Sequence, residues 1–336
     1  MVIDIHAHFF PLAYLEEIQR CSGNAVTLES VEGDGYQLFV GGRRSIRFTP
    51  AFFDRDVRLK AMNDAGVTTQ ALSLAPPMVF WARPDEALRL CQVTNDALAA
   101  MADAAPGRFI PVAAVPVQAL DLAIRELHRA VGLGHRMVLL GTNINGMQLD
   151  NPALAPFFEA VEQLDLPIFV HPISPAGLEC MHDYRLEQTV GYPLDTTLAA
   201  ARFVLSGAFD RHPGLRICWS HLGGALPLLV DRIQYLMAAT PGTSAARHDF
   251  DTYFRRFWYD TVVYTERSLA FGLQFAGPDR LLFGTDAPFF GDATPHLLNL
   301  IRTTRVLDSG DRERILFRNA QALLGLESLV LPKTVD

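Results

Sequence analysis

Apolar and polar positions along this chain fall into two alternating periods. Short β-branched or apolar runs are followed by longer runs of 3.6-residue period, which predicts strands and helices in alternation from end to end. Strands are predicted at residues 2–6, Val67–Leu74, Phe109–Val115, Met137–Leu140, Pro167–Val170, Leu215–Trp219, Phe257–Asp260 and Arg280–Phe283. Helices are predicted at about 54–65 (ended by Gly66), from Pro84 to about Ala104, and at 117–130. Others run from Asn151-Pro152 to about Leu164, through about Phe209 after an irregular stretch at 172–190, from Ala225 to Met237, and from Glu266. Two or three more close the chain. Eight strands alternating with helices is the pattern of an α/β fold of the (β/α)8 TIM-barrel kind, here one domain over 1–336. A doubly wound open sheet would place a glycine-rich phosphate loop after the first strand, and none is present.

One piece breaks the alternation. At about 21–50, Gly33-Asp34-Gly35 and Gly41-Gly42 punctuate two short alternating runs, Ala25–Val31 and Tyr36–Val40. This predicts a small β-hairpin or lid inserted after the first strand.

Composition narrows the function. Of 336 residues, 49% are hydrophobic and 20% charged, an ordinary globular balance. A net charge of −8 argues against nucleic-acid binding, which needs clustered cations. Lys60 and Lys333 are the only lysines, so lysine-based chemistry is nearly excluded. Cys21, Cys91, Cys180 and Cys218 form neither a disulfide framework nor a zinc ribbon, which fits a reducing compartment. A first strand beginning at residue 2 leaves no room for a signal peptide, and no apolar run reaches the roughly 18–20 residues of a membrane span. A cytoplasmic protein is expected.

The candidate chemistry gathers at the strand ends. His6 and His8 are two apart, so on an extended chain both imidazoles leave the same face and can grip one transition metal. Active sites of such barrels lie at the carboxyl ends of the strands. Those ends also carry His171 (strand five), His221 before Gly223-Gly224 (strand six) and Asp286 (strand eight). Three neutral imidazoles and a carboxylate suit zinc, with manganese or another first-row ion as the alternative. His6, His8, His171 and Asp286 are the expected ligands. His221 is the expected general acid/base beside the metal, with Asp286 or a bound water as its catalytic partner. Glycines after His221 are expected to let backbone approach a ligand closely. Taken singly, Asp286 also reads as a helix N-cap and His171 as a structural residue before proline. His128, His135, His212, His248 and His296 read as structural, and His182, above the rim, as a second candidate for substrate contact.

These motifs resemble the amidohydrolase superfamily, and within it the branch of 2-amino-3-carboxymuconate-6-semialdehyde decarboxylase. The likeness spans nearly the whole chain: Phe169–Pro172, Trp81–Pro84, Gly191–Thr197, Ser220–Pro227, Phe283–Phe289 and Asn319–Glu327. It implies a mononuclear metal enzyme performing non-oxidative decarboxylation of a small unsaturated or aromatic carboxylate. Binuclear relatives use a carboxylated lysine on strand four, and the corresponding Met137–Met147 has no lysine. Trp81 and Phe289 lie in the resembling motifs and are candidate substrate contacts. An anionic substrate also needs a cation, and Arg47 at the end of the insertion is the first candidate. Arg232 falls where the resembled enzyme contributes a substrate arginine across a dimer interface, which implies a homodimer; it also reads as a surface helix arginine. Differences from the family pattern at Thr49 and in 172–190 point away from the identical substrate.

Two rival readings use the same residues. One is a metal-dependent hydrolase of an amide, lactone or carbon–carbon bond, since fold does not choose the reaction. The other is a metal-loaded binding protein, disfavoured because no structural site would require His221.

Overall fold

In the computed structural model, residues 1–23, 25–32, 35–289 and 293–326 are described. Gly33 and Asp34 of the expected turn, and Glu327 of the closing motif, lie outside them.

Eight parallel strands follow one another in chain order: Ile3–His8, Thr69–Ser73, Phe109–Ala113, Met137–Gly141, Ile168–His171, Ile217–Trp219, Trp258–Asp260 and Leu281–Leu282. The ring closes between first and last, where Ile5 N donates to Phe283 O (2.9 Å) and Ala7 bridges Ala287 in parallel. Helices cover the outside while side chains fill the inside, so both faces of most strands are buried. That double burial is why the strands read as continuous apolar runs rather than strict alternations. The turns between follow local chemistry. Asp54 accepts from Asp56 N and Val57 N to cap the helix Arg55–Ala65, and Gly66 ends it at φ 76°. Pro84 opens the helix Pro84–Ala104 where its missing N–H has no partner to lose. Among the described residues no helix is long and apolar enough to cross a membrane.

Three features depart from the sequence expectation. The first strand runs on to His8, so both histidines belong to it, and a helix Leu12–Arg20 follows. Its pairing with the second strand slips between Asp4 and Ala7, a β-bulge directly at His6. The insertion is a three-stranded antiparallel sheet, Val26–Val31, Gly35–Val40 and Arg43–Phe48, rather than a two-stranded hairpin. Its third strand reads as a turn because Arg43, Arg44, Ser45 and Arg47 are all exposed, leaving Phe48 as its buried anchor.

Candidate metal centre

Each chemically distinctive residue reaches the centre from a different strand end. His6 and His8 come from the bulged first strand, and His171 is the last residue of the fifth. His221 and Asp286 follow the sixth and eighth strands in left-handed backbone, at φ 52° and 60°. For residues with a Cβ that conformation costs on the order of 1–3 kcal/mol and persists only where neighbours impose it. Here Asp286 N donates to His6 O (2.8 Å), and His221 N to the Asp260 carboxylate (3.0 Å).

The donor atoms converge. His6 Nε2 lies 3.0 Å from His8 Nε2, and Asp286 Oδ1 lies 3.4 Å from the former and 3.1 Å from the latter. Donors about 2.0–2.2 Å from one zinc ion stand roughly 3–3.5 Å apart, so these spacings fit ligands of a single ion. The His171 ring is 4.9 Å from that of His8 and 5.2 Å from that of His6. His221 Nε2 lies 3.7 Å from the other oxygen of Asp286. His6, His171, His221 and Asp286 also offer one donor atom each within a mutual 4.8 Å.

Hydrogen bonding at the far ring nitrogens separates the four histidines. His6 Nδ1 faces Asp260 Oδ2 at 2.6 Å, His8 Nδ1 the Leu74 carbonyl at 3.2 Å, and His171 Nδ1 the Pro172 carbonyl at 2.9 Å. These three oxygens only accept, which places a hydrogen on each Nδ1 and directs each Nε2 inward; Ser73 Oγ, also 3.2 Å from His8 Nδ1, then serves as a second acceptor. His221 Nδ1 is buried with no partner among the described residues. Its tautomer is not held in this way, which suits a proton carrier better than a ligand.

Electrostatics favour a cation. Burial opposes the charge on Asp286, yet bonds from His221, His6 and His8 hold its carboxyl well below the usual range. Burial draws His8 and His171 below the ordinary histidine value, leaving neutral imidazoles as ligands require. Burial alone would lower His6 too, but the Asp260 and Asp286 carboxylates outweigh it and raise it to about 10. The centre thus draws positive charge, and a divalent ion bound here would displace the proton that His6 otherwise holds.

Asp260 is the largest omission of the sequence reading. At the end of the seventh strand, it bonds His6 Nδ1, His221 N and Leu222 N at once. A carboxylate behind a metal-binding imidazole fixes its orientation and raises its basicity. The one available signal was its place at a strand end. Asp4 is buried behind the centre, where it accepts from Thr285 Oγ1 and Gln70 Nε2.

The expected substrate contacts fare unevenly. Phe289 stands at the centre, its ring 5.5 Å from His8. Trp81 is half-buried and donates through Nε1 to Met78 O (3.1 Å), without ring contact to the cluster among the described residues. Arg47 is exposed and, among the described residues, reaches only the Glu32 carbonyl, at 3.4 Å. Strand alternation turns Phe48 inward against Phe10 and Phe52, which sends Arg47 to the opposite face. His182 and Arg232 are exposed as well, and among the described residues none of Arg47, His182 and Arg232 bonds a cluster side chain. Tyr192, not singled out from sequence, is a further aromatic at the centre, its ring 6.3 Å from His171, and the Phe169 ring lies 4.9 Å from His6. The glycines after His221 serve protein packing. A Cβ on Gly224 would lie 2.0 Å from Pro193 O, and one on Gly223 2.8 Å from the Tyr259 ring.

Comparison with known proteins agrees with this geometry. The sequence model of the Amidohydrolase family matches residues 3–326. A 2-amino-3-carboxymuconate-6-semialdehyde decarboxylase of Dictyostelium discoideum is 33% identical over 97% of this chain and 92% of its own length. A gamma-resorcylate decarboxylase of Rhizobium radiobacter is 32% identical over 81% of this chain and 88% of its own. Among solved structures, a dihydroxybenzoic acid decarboxylase of Polaromonas with bound manganese and the inhibitor 2-nitroresorcinol superposes with a TM-score of 0.79. It is 26% identical and covers 97% of each chain.

Asp260→Asn keeps the size of the side chain but removes its charge behind His6. Zinc affinity, measured by chelator competition, is expected to fall about 10- to 100-fold. Wild-type affinity in this variant would contradict the role assigned to Asp260.

Proposed function

The chain belongs to the amidohydrolase superfamily, in the branch of 2-amino-3-carboxymuconate-6-semialdehyde decarboxylase, and on that premise we propose that it is a metal-dependent non-oxidative decarboxylase of a small unsaturated or aromatic carboxylate. The observation that carries this reading is the unlike treatment of the four histidines. Three have Nδ1 tied to acceptors, whereas His221 Nδ1 has no partner among the described residues and its Nε2 lies near Asp286.

His6, His8, His171 and Asp286 would hold one divalent ion, zinc by donor set with manganese as the alternative. When bound, the ion supplies Lewis acidity that orients the substrate and offsets negative charge developing on it. Phe289 and Tyr192 flank the centre and offer apolar walls to a planar, conjugated acid. Loss of carbon dioxide from such an acid needs the carbon bearing the carboxylate made tetrahedral first. His221, its Nε2 3.7 Å from the Asp286 carboxylate, donates a proton to that carbon. The carbon–carboxylate bond then breaks, its electron pair restores conjugation, and a hydrogen stands where carbon dioxide left. Burial of His6, His8, His171 and Asp286 keeps bulk water from the reacting carbon.

The cation for the substrate is the remaining requirement. Leu228, Arg232, Tyr235 and Leu236 recur at helical spacing along Leu226–Ala239, and the three apolar residues are 70%, 75% and 40% exposed. Exposed Leu194 and Leu198 line the helix Tyr192–Leu205. A second copy of the chain covering this face would form a homodimer and place Arg232 at the interface. The four cysteines are free, in keeping with the reducing cytoplasm.

Carbon dioxide release from a panel of aromatic and unsaturated acids tests the reaction. Turnover is expected in the zinc or manganese form; hydrolysis of amides or lactones without carbon dioxide would favour the hydrolase reading instead. His171→Ala is expected to lose metal, and His221→Ala to keep metal while its turnover falls about 10²- to 10⁴-fold. Equal metal content and full activity in both would defeat the assignment. Light scattering is expected to report a dimer that Leu228→Asp with Tyr235→Asp dissociates; a wild-type monomer would remove Arg232 from the substrate site.

A further inference from the structure

Arg58 is nearly fully buried, at 3% exposure, and forms no ion pair among the described residues. Its Nη2 instead donates to two backbone carbonyls, His8 O at 2.6 Å and Ala51 O at 2.9 Å. A guanidinium stays protonated in a protein, and an unpaired buried cation is costly. The carbonyl it has found explains its place.

Among the described residues, the His8 carbonyl lacks the backbone partner a parallel ladder would give it. His8 N donates to Ala287 O (2.7 Å), so the ladder would continue with Phe289 N donating back to His8 O. Phe289 N turns away and donates to Asp286 O (3.0 Å), and Pro288 between them has no N–H. Arg58 therefore stands in for the missing strand donor with a charge-assisted bond, the stronger kind. It does so at the last residue of the strand, whose side chain faces the metal centre. The second carbonyl, Ala51 O, lies in the short helix Pro50–Phe53, whose Phe52 packs on Phe289 (5.0 Å between rings). Arg58 thus ties the strand end to the aromatic wall beside it.

We infer that Arg58 is a positioning residue for the metal centre, holding the backbone of His8 so that its Nε2 points at the ion. This rests on the assignment of His8 as a ligand. Nothing in the helical pattern of Arg55–Ala65 marks Arg58 out; only the orphaned carbonyl does.

Zinc affinity by chelator competition, together with the thermal transition of the metal-free protein, tests this on Arg58→Met, Arg58→Lys, His8→Ala and the double variant Arg58→Met/His8→Ala. Arg58→Met is expected to weaken zinc binding about 10- to 100-fold. Arg58→Lys, which keeps a cation able to reach one carbonyl, is expected to lose less. In the His8→Ala background, Arg58→Met is expected to add less than about threefold, because coupled residues are not additive. An equal loss with and without His8, or a lower thermal transition with wild-type affinity, would overturn the inference. Should Arg58→Met not fold, Arg58→Lys decides alone: a partial loss of affinity supports the role and wild-type affinity overturns it. His8→Ala with undiminished affinity would remove the ligand assignment and this inference together. A weakened His8→Ala beside an unchanged Arg58→Met would remove this inference only.

Discussion

The seam between the first and last barrel strands is the constraint on which the rest depends. His6 and Asp286 come from opposite ends of the chain, and one backbone hydrogen bond, Asp286 N to His6 O at 2.8 Å, places them side by side. Closing a sheet into a barrel links strand tilt, register and diameter. Once seven neighbouring pairings are made, the eighth has little freedom, and it sets two ligand candidates at 3.4 Å. Gly284 belongs to the same seam. A Cβ there would meet the Cβ atoms of Asp260 and His6 at 3.0 Å each, so a larger residue would press against both members of the carboxylate–imidazole pair.

Around this seam the polar groups are arranged to hold one protonation pattern. Acceptors behind His6, His8 and His171 place hydrogens on the outer nitrogens and lone pairs on the inner ones. Asp260 links two roles, since the carboxylate that orients His6 also anchors the strained backbone at His221. The proposed ligand and the proposed proton carrier are thus aligned by one side chain. The same economy recurs at His8, whose ring is steadied by Leu74 O and whose carbonyl is steadied by Arg58. Asp260, Asp286 and Asp4 are tolerated in the interior because each accepts directed bonds from its neighbours.

The barrel was legible because fully buried parallel strands must be apolar on both faces, and because Gly66, Pro84 and Asp54 mark helix ends by local chemistry. The five clustered residues were legible for a related reason: a strand end in this fold has one destination, so its polar residues converge without any contact being visible in sequence. What stayed hidden depends on partners supplied by distant elements. Asp260 reads as the close of a strand until His6 is seen opposite it, and nothing in the sequence pairs Arg58 with the His8 carbonyl. Arg43–Phe48 resisted because its exposed face carries arginines and only Phe48 is buried. The exposure of Arg47 was hidden for the complementary reason, since one position along a strand reverses the face. Gly223 and Gly224 suggested a ligand, whereas Tyr259 and Pro193 occupy the space they leave.

The central claim is that a single ion is held by donors from the first, fifth and eighth strand ends while His221 stays off it. Anomalous diffraction from crystals of the zinc-loaded protein, recorded at the zinc edge, addresses this most directly. The account predicts one peak, about 2.0–2.2 Å from Nε2 of His6, His8 and His171 and from an oxygen of Asp286, with His221 beyond bonding distance. A peak coordinated by His221 in place of His8, a second ion in the barrel mouth, or no peak between His6 and Asp286 would contradict it.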